Sequence, residues 1–118
     1  MFELMIEDHF DSAHFLNGYQ GNCNNLHGHR FKVRVYVKGK KLNNIGLLID
    51  YKSIKLEVKK MIETLDHKVL NEVLNFNPTS ELMAQYIFDE LKPKLPQEVT
   101  LNKIEVCESE HTSASYSE

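Results

Sequence analysis

The strict alternation of residues 27–37 constrains this chain more than any other stretch. It places Phe31, Val33, Val35 and Val37 in one phase and Arg30, Lys32, Arg34 and Tyr36 in the other. Side chains two apart on a strand share a face, so the segment predicts a strand with one apolar and one polar side. His27 and His29 extend the apolar phase and lie close enough together to share one metal ion. Cys23 adds a thiol four residues upstream of His27. Two imidazoles and a thiol beside an apolar wall form a polar spot of low dielectric, where metal binding and pKa tuning are strong. Gly28, between the histidines, is expected to let another group approach the backbone closely.

A second strand is predicted over Phe2–Ala13, with Phe2, Leu4, Ile6 and Phe10 on the even face, where Ser12 and His14 also fall. Without a bulge, His14 shares the inward face of His27 and His29, whereas His9 points the other way and is expected to be structural or exposed. The polar, glycine-punctuated run Asn17-Gly18-Tyr19-Gln20-Gly21-Asn22 connects the two strands, and Gly39-Lys40-Lys41-Leu42-Asn43-Asn44 ends the second. Ile54, Val58, Ile62 and Leu65 then recur at helical spacing, with Asp50 or Ser53 as the cap. Asn77-Pro78-Thr79-Ser80-Glu81 announces another helix, with the proline in its first turn, running through Leu82, Met83, Tyr86, Ile87 and Leu91. Lys92-Pro93 and Leu95-Pro96 stop it. Strands are predicted over Thr100–Glu108 and around Ala114–Tyr116. The order β-β-α-α-β-β is that of an α+β fold, a four-stranded antiparallel sheet with two helices on one face.

At 118 residues the chain reads as one domain, 1–118. A domain of this size buries enough surface for a core but leaves little for a deep private pocket, so a substantial site is easier to build between subunits. The net charge of −3 argues against general binding of nucleic acid or an anionic membrane, although local positive charge could hold a small phosphate ester. No charged segment leading into an apolar run opens the chain and no stretch approaches membrane-spanning length, so the expected compartment is the cytoplasm. Cys23 and Cys107 are too few and too far apart for a disulfide framework.

His14, His27 and His29 match the inventory of a catalytic zinc site, three nitrogens with a fourth position open. Zinc is the first choice because it is the common redox-silent metal for imidazole; the plainer reading of His14 alone is a hydrogen-bonded core histidine. Cys23 admits three readings: a small buried residue, a fourth ligand closing a structural zinc site, or a nucleophile or base near the metal. Asp66-His67 is either a solvated helix end or an acid–base pair, and the second requires non-helical geometry, since adjacent side chains on a helix do not face each other. Glu108 falls in phase with Ile104 and Val106, where a carboxylate needs a partner. An edge with two parallel N–H donors would suit it, unless the strand ends first and the carboxylate is solvated.

Together these motifs resemble the 6-pyruvoyl-tetrahydropterin and 6-carboxytetrahydropterin synthase family of the tunnelling fold. The resemblance runs through Phe10-Asp11-Ser12-Ala13-His14, Cys23 to His29, Gly46-Leu47-Leu48-Ile49-Asp50-Tyr51, Leu65-Asp66-His67 with Leu70-Asn71, Asn77-Pro78-Thr79-Ser80-Glu81, and Glu108 with Ala114-Ser115-Tyr116. It implies that His14, His27 and His29 hold zinc, that Cys23 is the catalytic thiol, and that Asp66 and His67 complete an acid–base relay. Glu108 would anchor a pterin ring with Thr79 and Ser80 close by, the substrate would be 7,8-dihydroneopterin triphosphate, and two trimers would stack into a homohexamer with sites at subunit interfaces. The three-residue gap between Cys23 and His27 resembles the bacterial 6-carboxytetrahydropterin synthases of queuosine biosynthesis, which also release acetaldehyde. The sister 6-pyruvoyl-forming reaction is one alternative. A non-catalytic domain, with the thiol and the three imidazoles closing a structural zinc site, is the other. Arg30 and the run Ser109-Glu110-His111 depart from the family pattern, and Arg30 could add a phosphate contact.

Overall fold

The computed structural model describes all 118 residues, Met1–Glu118. Strands β1 (Phe2–His14) and β2 (His27–Gly39) are followed by helix α1 (Tyr51–Glu63), the single turn α2 (Leu70–Val73), helix α3 (Ser80–Leu91), and strands β3 (Thr100–Cys107) and β4 (Ser113–Tyr116). The four strands form one antiparallel sheet in the order β1-β2-β3-β4. Both long helices pack on the same face, as the element order predicts.

β1 and β2 pair without a bulge from Phe2 opposite Gly39 to His14 opposite His27. Their apolar phases therefore bury together: Ile6, Phe10, Phe31, Val33, Val35 and Val37 are all core residues. Each such side chain contributes roughly 1.5–3 kcal/mol on burial, so a register slip would forfeit the whole set at once. Between β2 and β3 the pairing jumps from Tyr36–Lys103 to Val37–Leu101, skipping Asn102. That bulge brings both Leu101 and Ile104 to the core although they differ in parity. The other face of the sheet is polar, with Arg34 donating to Glu7 and to Glu105.

α1 buries Ile54, Val58, Met61 and Ile62, and its cap is Asp50, whose carboxylate accepts from the Lys52 amide at 2.9 Å. The helix ends at Glu63, so Leu65 is buried from the turn beyond it. At α3 the Thr79 hydroxyl accepts from the Leu82 amide, which fixes the start at Ser80. Pro78 thus lies ahead of the cap and not in the first turn, which leaves its carbonyl available to a neighbour. β3 stops at Cys107, one residue short of the predicted end, and α2 was not predicted because four residues carry no readable helical period. No helix is long and apolar enough to cross a membrane.

Candidate active site

The unbroken β1–β2 register delivers His14 and His27 to directly opposed positions, with His29 two residues further along β2. Their ring centroids are 4.7 Å apart for His14–His27, 4.7 Å for His27–His29 and 5.3 Å for His14–His29, with the Phe31 ring behind His14 and His29. One nitrogen from each ring can be chosen so that all three lie within 4.8 Å of one another.

Two of the rings are oriented from outside the cluster. His14 Nδ1 meets the Pro78 carbonyl at 2.8 Å, and His27 Nδ1 meets the Asn25 carbonyl at 2.7 Å. A carbonyl only accepts, so in the neutral form of each ring Nδ1 carries the proton and Nε2 the lone pair. His14 Nε2 is buried and has no hydrogen-bond partner. Burial holds the His14 ring below the ordinary imidazole value and keeps it neutral, with His27 and His29 acting in the same direction and Pro78 and Glu108 opposing. A neutral, orphaned, buried nitrogen facing two further imidazoles is what a metal ion would satisfy.

Cys23 lies in the short turn Asn22–Asn24, where its carbonyl accepts from the Leu16 amide at 2.8 Å. It does not belong to the three-imidazole cluster. Instead it lines a depression of about 450 Å³ together with Leu16, Tyr19, Thr79, Ser80 and Glu108. Glu108 stands just past the end of β3, its side chain 29% exposed and Oε1 3.8 Å from His14 Nε2. That distance is too long for a hydrogen bond, so the carboxylate edges the histidine cluster while facing the depression. A cleft of about 500 Å³ beside Lys40, Lys41 and Glu98 is slightly larger, but it contains neither a thiol nor a donor cluster.

The connection from β1 to Cys23 is held by side chains that imitate strand partners. The Asn71 amide accepts from the Phe15 N–H and donates to the Phe15 carbonyl, both at 2.9 Å. Asn77 does the same for Asn17, at 2.9 and 3.2 Å. Sequence reasoning missed these asparagines as site supports, along with Leu16 and Tyr19 as lining residues and the Pro78 carbonyl. A backbone carbonyl leaves no mark in a sequence, whereas asparagines flanking the chemistry do.

Asp66 and His67 do form a pair, and in the non-helical geometry the reading required. His67 adopts φ 57°, and its Nδ1 lies 2.9 Å from Asp66 Oδ2. The hydrogen bond from the Asp11 amide, then that from His67, hold the Asp66 carboxyl below its ordinary value, so it stays ionised and orients the imidazole. Neither residue lines the depression, however, and the His67 side chain is 80% exposed along the outer edge of β1.

The structure bears on three further expectations for individual residues. Nothing approaches Gly28 closely, since an added Cβ would meet only the Ser12 carbonyl at 3.8 Å. The Arg30 guanidinium is engaged by Asp11 at 2.9 and 3.1 Å and does not line the depression, so it offers no phosphate contact there. His9 is exposed on the face opposite His14, as expected.

Comparisons with known proteins identify the family. Residues 3–118 match the family described as 6-pyruvoyl tetrahydropterin synthase. A Synechocystis protein named 6-carboxy-5,6,7,8-tetrahydropterin synthase is 34% identical over 98% of this chain and 93% of its own length. A Pyrococcus furiosus protein named dihydroneopterin monophosphate aldolase is 32% identical over 84% of this chain and 82% of its own. Among solved structures, the 6-pyruvoyl tetrahydropterin synthase of Caenorhabditis elegans superposes with a TM-score of 0.89 at 26% identity, covering 99% of this chain and 95% of that one. With a tunnelling-fold sheet, a histidine triad and a family match spanning almost every residue, the chain belongs to the 6-pyruvoyl tetrahydropterin synthase family and is a lyase of that family.

Proposed function

We propose that the chain is a zinc-dependent lyase that converts 7,8-dihydroneopterin triphosphate and one water to 6-carboxy-5,6,7,8-tetrahydropterin, releasing triphosphate and acetaldehyde, in queuosine biosynthesis in the cytoplasm. The observation that carries this reading is a three-imidazole donor set edged by the Glu108 carboxylate, which together with the Cys23 thiol lines one depression. His14, His27 and His29 would hold the zinc, which when bound supplies Lewis-acid polarisation of oxygens on the substrate side chain. A closed structural site is disfavoured because Cys23 is absent from the donor cluster, leaving an open fourth position.

The remaining work falls to the chain's own residues. Glu108 accepts two parallel N–H bonds from the aminopyrimidine edge of the pterin, with Thr79 and Ser80 beside the same ring. Cys23 Sγ serves as the base that takes a proton from the substrate side chain. His67, its Nδ1–H directed at Asp66, presents Nε2 for the second proton transfer. Because Asp66 and His67 do not line the depression of their own chain, we assign them to the site of a neighbouring subunit. The outer edge of β4, the outer edge of β1 ahead of Asp11, and the apolar surface of Phe2, Leu42, Leu47 and Tyr51 support assembly into the homohexamer.

The name of the Synechocystis relative supports the carboxy-forming reaction. The C. elegans structure favours 6-pyruvoyl formation as the second reading, and the Pyrococcus relative adds aldol cleavage to the reactions this scaffold supports. Incubating zinc-loaded protein with 7,8-dihydroneopterin triphosphate and identifying products by mass spectrometry separates them. A 6-carboxy product with acetaldehyde, lost in Cys23→Ala, is expected. A 6-pyruvoyl or aldol-cleaved product would move the chain to the corresponding reaction, and no conversion with zinc bound would revive the structural site.

A further inference from the structure

Ser12 is a polar residue in the apolar phase of β1, between Phe10 and His14, and it is only 8% exposed. It does not line the depression and is not one of the three imidazole donors, although it stands directly opposite His29 in the β1–β2 register. Its hydroxyl donates to the Leu65 carbonyl and accepts from the Lys68 amide at 3.2 Å. Those two groups flank Asp66 and His67 on either side.

The surrounding bonds explain what this arrangement is for. The Asp11 amide donates to Asp66 Oδ1 at 2.9 Å, the His67 amide donates to the Asp11 carbonyl at 2.7 Å, and the Ala13 amide donates to the Lys68 carbonyl at 3.0 Å. The strand-side groups in these three bonds belong to the main chain and would be present whatever residues stood at 11 and 13. Ser12 is the one β1 side chain bonded to the turn, and it ties both flanks at once. His67 is the only residue other than glycine with positive φ, and a left-handed imidazole residue persists only where its surroundings over-determine it. Two residues beyond Ser12 on the same strand stands His14, so one rigid element carries both the metal donor and the clamp on the acid–base pair.

We propose that Ser12 is a positioning residue for His67: by bonding to both Leu65 and Lys68, its hydroxyl holds the turn in the conformation that keeps His67 Nδ1 on Asp66 and Nε2 free. The catalytic consequence rests on the acid–base role proposed above for His67, whereas the positioning itself does not.

The test compares zinc-loaded wild type, Ser12→Ala, His67→Ala and the double variant, using 7,8-dihydroneopterin triphosphate as substrate. The ring tautomer of His67 is read by long-range proton–nitrogen NMR on isotope-labelled histidine, its signals identified by their loss in His67→Ala. In wild type, His67 is expected mainly as the Nδ1–H form. Ser12→Ala is expected to lose that preference, to keep its zinc and KM, and to lose kcat by roughly ten- to a hundredfold, the scale on which small displacements of a catalytic group act. Adding Ser12→Ala to His67→Ala is expected to change kcat no further, because the hydroxyl acts through the imidazole. An unchanged His67 spectrum in Ser12→Ala overturns the proposal whatever turnover does, as does an equal loss of kcat in the His67→Ala background. Should Ser12→Ala not fold, Ser12→Cys weakens both bonds at similar volume and is judged by the same spectrum. If wild type does not convert the substrate, or His67→Ala retains full turnover, the functional reading fails and the tautomer alone decides the role of Ser12.

Discussion

At the scale of single residues, the proposed roles separate groups that would hold a metal from groups that would meet a substrate, and substitution distinguishes the two. His27→Ala removes a donor whose Nδ1 proton is fixed by Asn25, so zinc content and turnover should fall together, as elemental analysis and product assay will show. Cys23→Ala should keep zinc and fold while abolishing turnover; retention of substantial activity would remove the thiol from the mechanism. Glu108→Gln tests the pterin anchor. The amide keeps one acceptor oxygen but replaces the other with a donor, so one of two charge-assisted bonds is lost and pterin affinity should weaken by about 1.5–3 kcal/mol, with zinc unchanged. Loss of zinc in Glu108→Gln would instead make the carboxylate a ligand, a role its 3.8 Å distance from His14 Nε2 brings within consideration. Of the two thiols, Cys107 is buried, and burial pushes its pKa up, whereas Cys23 lines the open depression. Limited iodoacetamide should therefore label Cys23 first, as peptide mapping will report.

At the scale of elements, period and parity account for what the sequence reveals. The alternation through β1 and β2 predicts the face shared by His14, His27 and His29 because the strands pair without a bulge, and the four-and-three spacing of Ile54, Val58 and Ile62 predicts the buried side of α1. What stays hidden are features made by backbone atoms or by distant segments: the Pro78 carbonyl against His14, the bulge at Asn102, and the clasp of Ser12 on residues 65–68. The polar face of the sheet supplies a pH-dependent prediction. Burial alone would raise the Glu105 carboxyl, but hydrogen bonds from Ser113, Arg34 and Tyr36 outweigh it and leave the group below its ordinary value. A depressed carboxylate contributes stability that is fully present above its unfolded pKa, about 4.3, and that is lost as pH falls through the folded value. Glu105→Gln should thus destabilise the β2–β3–β4 region by about 1–3 kcal/mol near neutral pH, and the difference from wild type should shrink on acidification below pH ~4. Urea unfolding at several pH values measures it, and a deficit independent of pH would assign the effect to packing.

At the scale of the whole molecule, one subunit holds every proposed catalytic group but not at one place. The chain is elongated, 53 × 24 × 22 Å, and within it Cys23 and Glu108 face the depression while His67 projects from the outer edge of β1. If both sets act on one substrate molecule, the second set must come from another copy, and the open strand edges provide the means of bringing that copy close. This arrangement makes a sharper prediction than a sixfold mass in analytical ultracentrifugation, because a shared site can be rebuilt from two severely impaired proteins. Cys23→Ala carries an intact His67, and His67→Ala an intact Cys23. Co-expressed in equal amounts and assembled at random, they should restore about one site in four, since a site is whole only where an intact thiol meets a neighbour's intact imidazole. Each variant alone would stay at its own low residual rate in the same assay, far below one site in four. A co-expressed mixture as inactive as its components, with assembly intact, would mean that thiol and imidazole must come from one chain, and that the turn carrying His67 moves to the depression before catalysis.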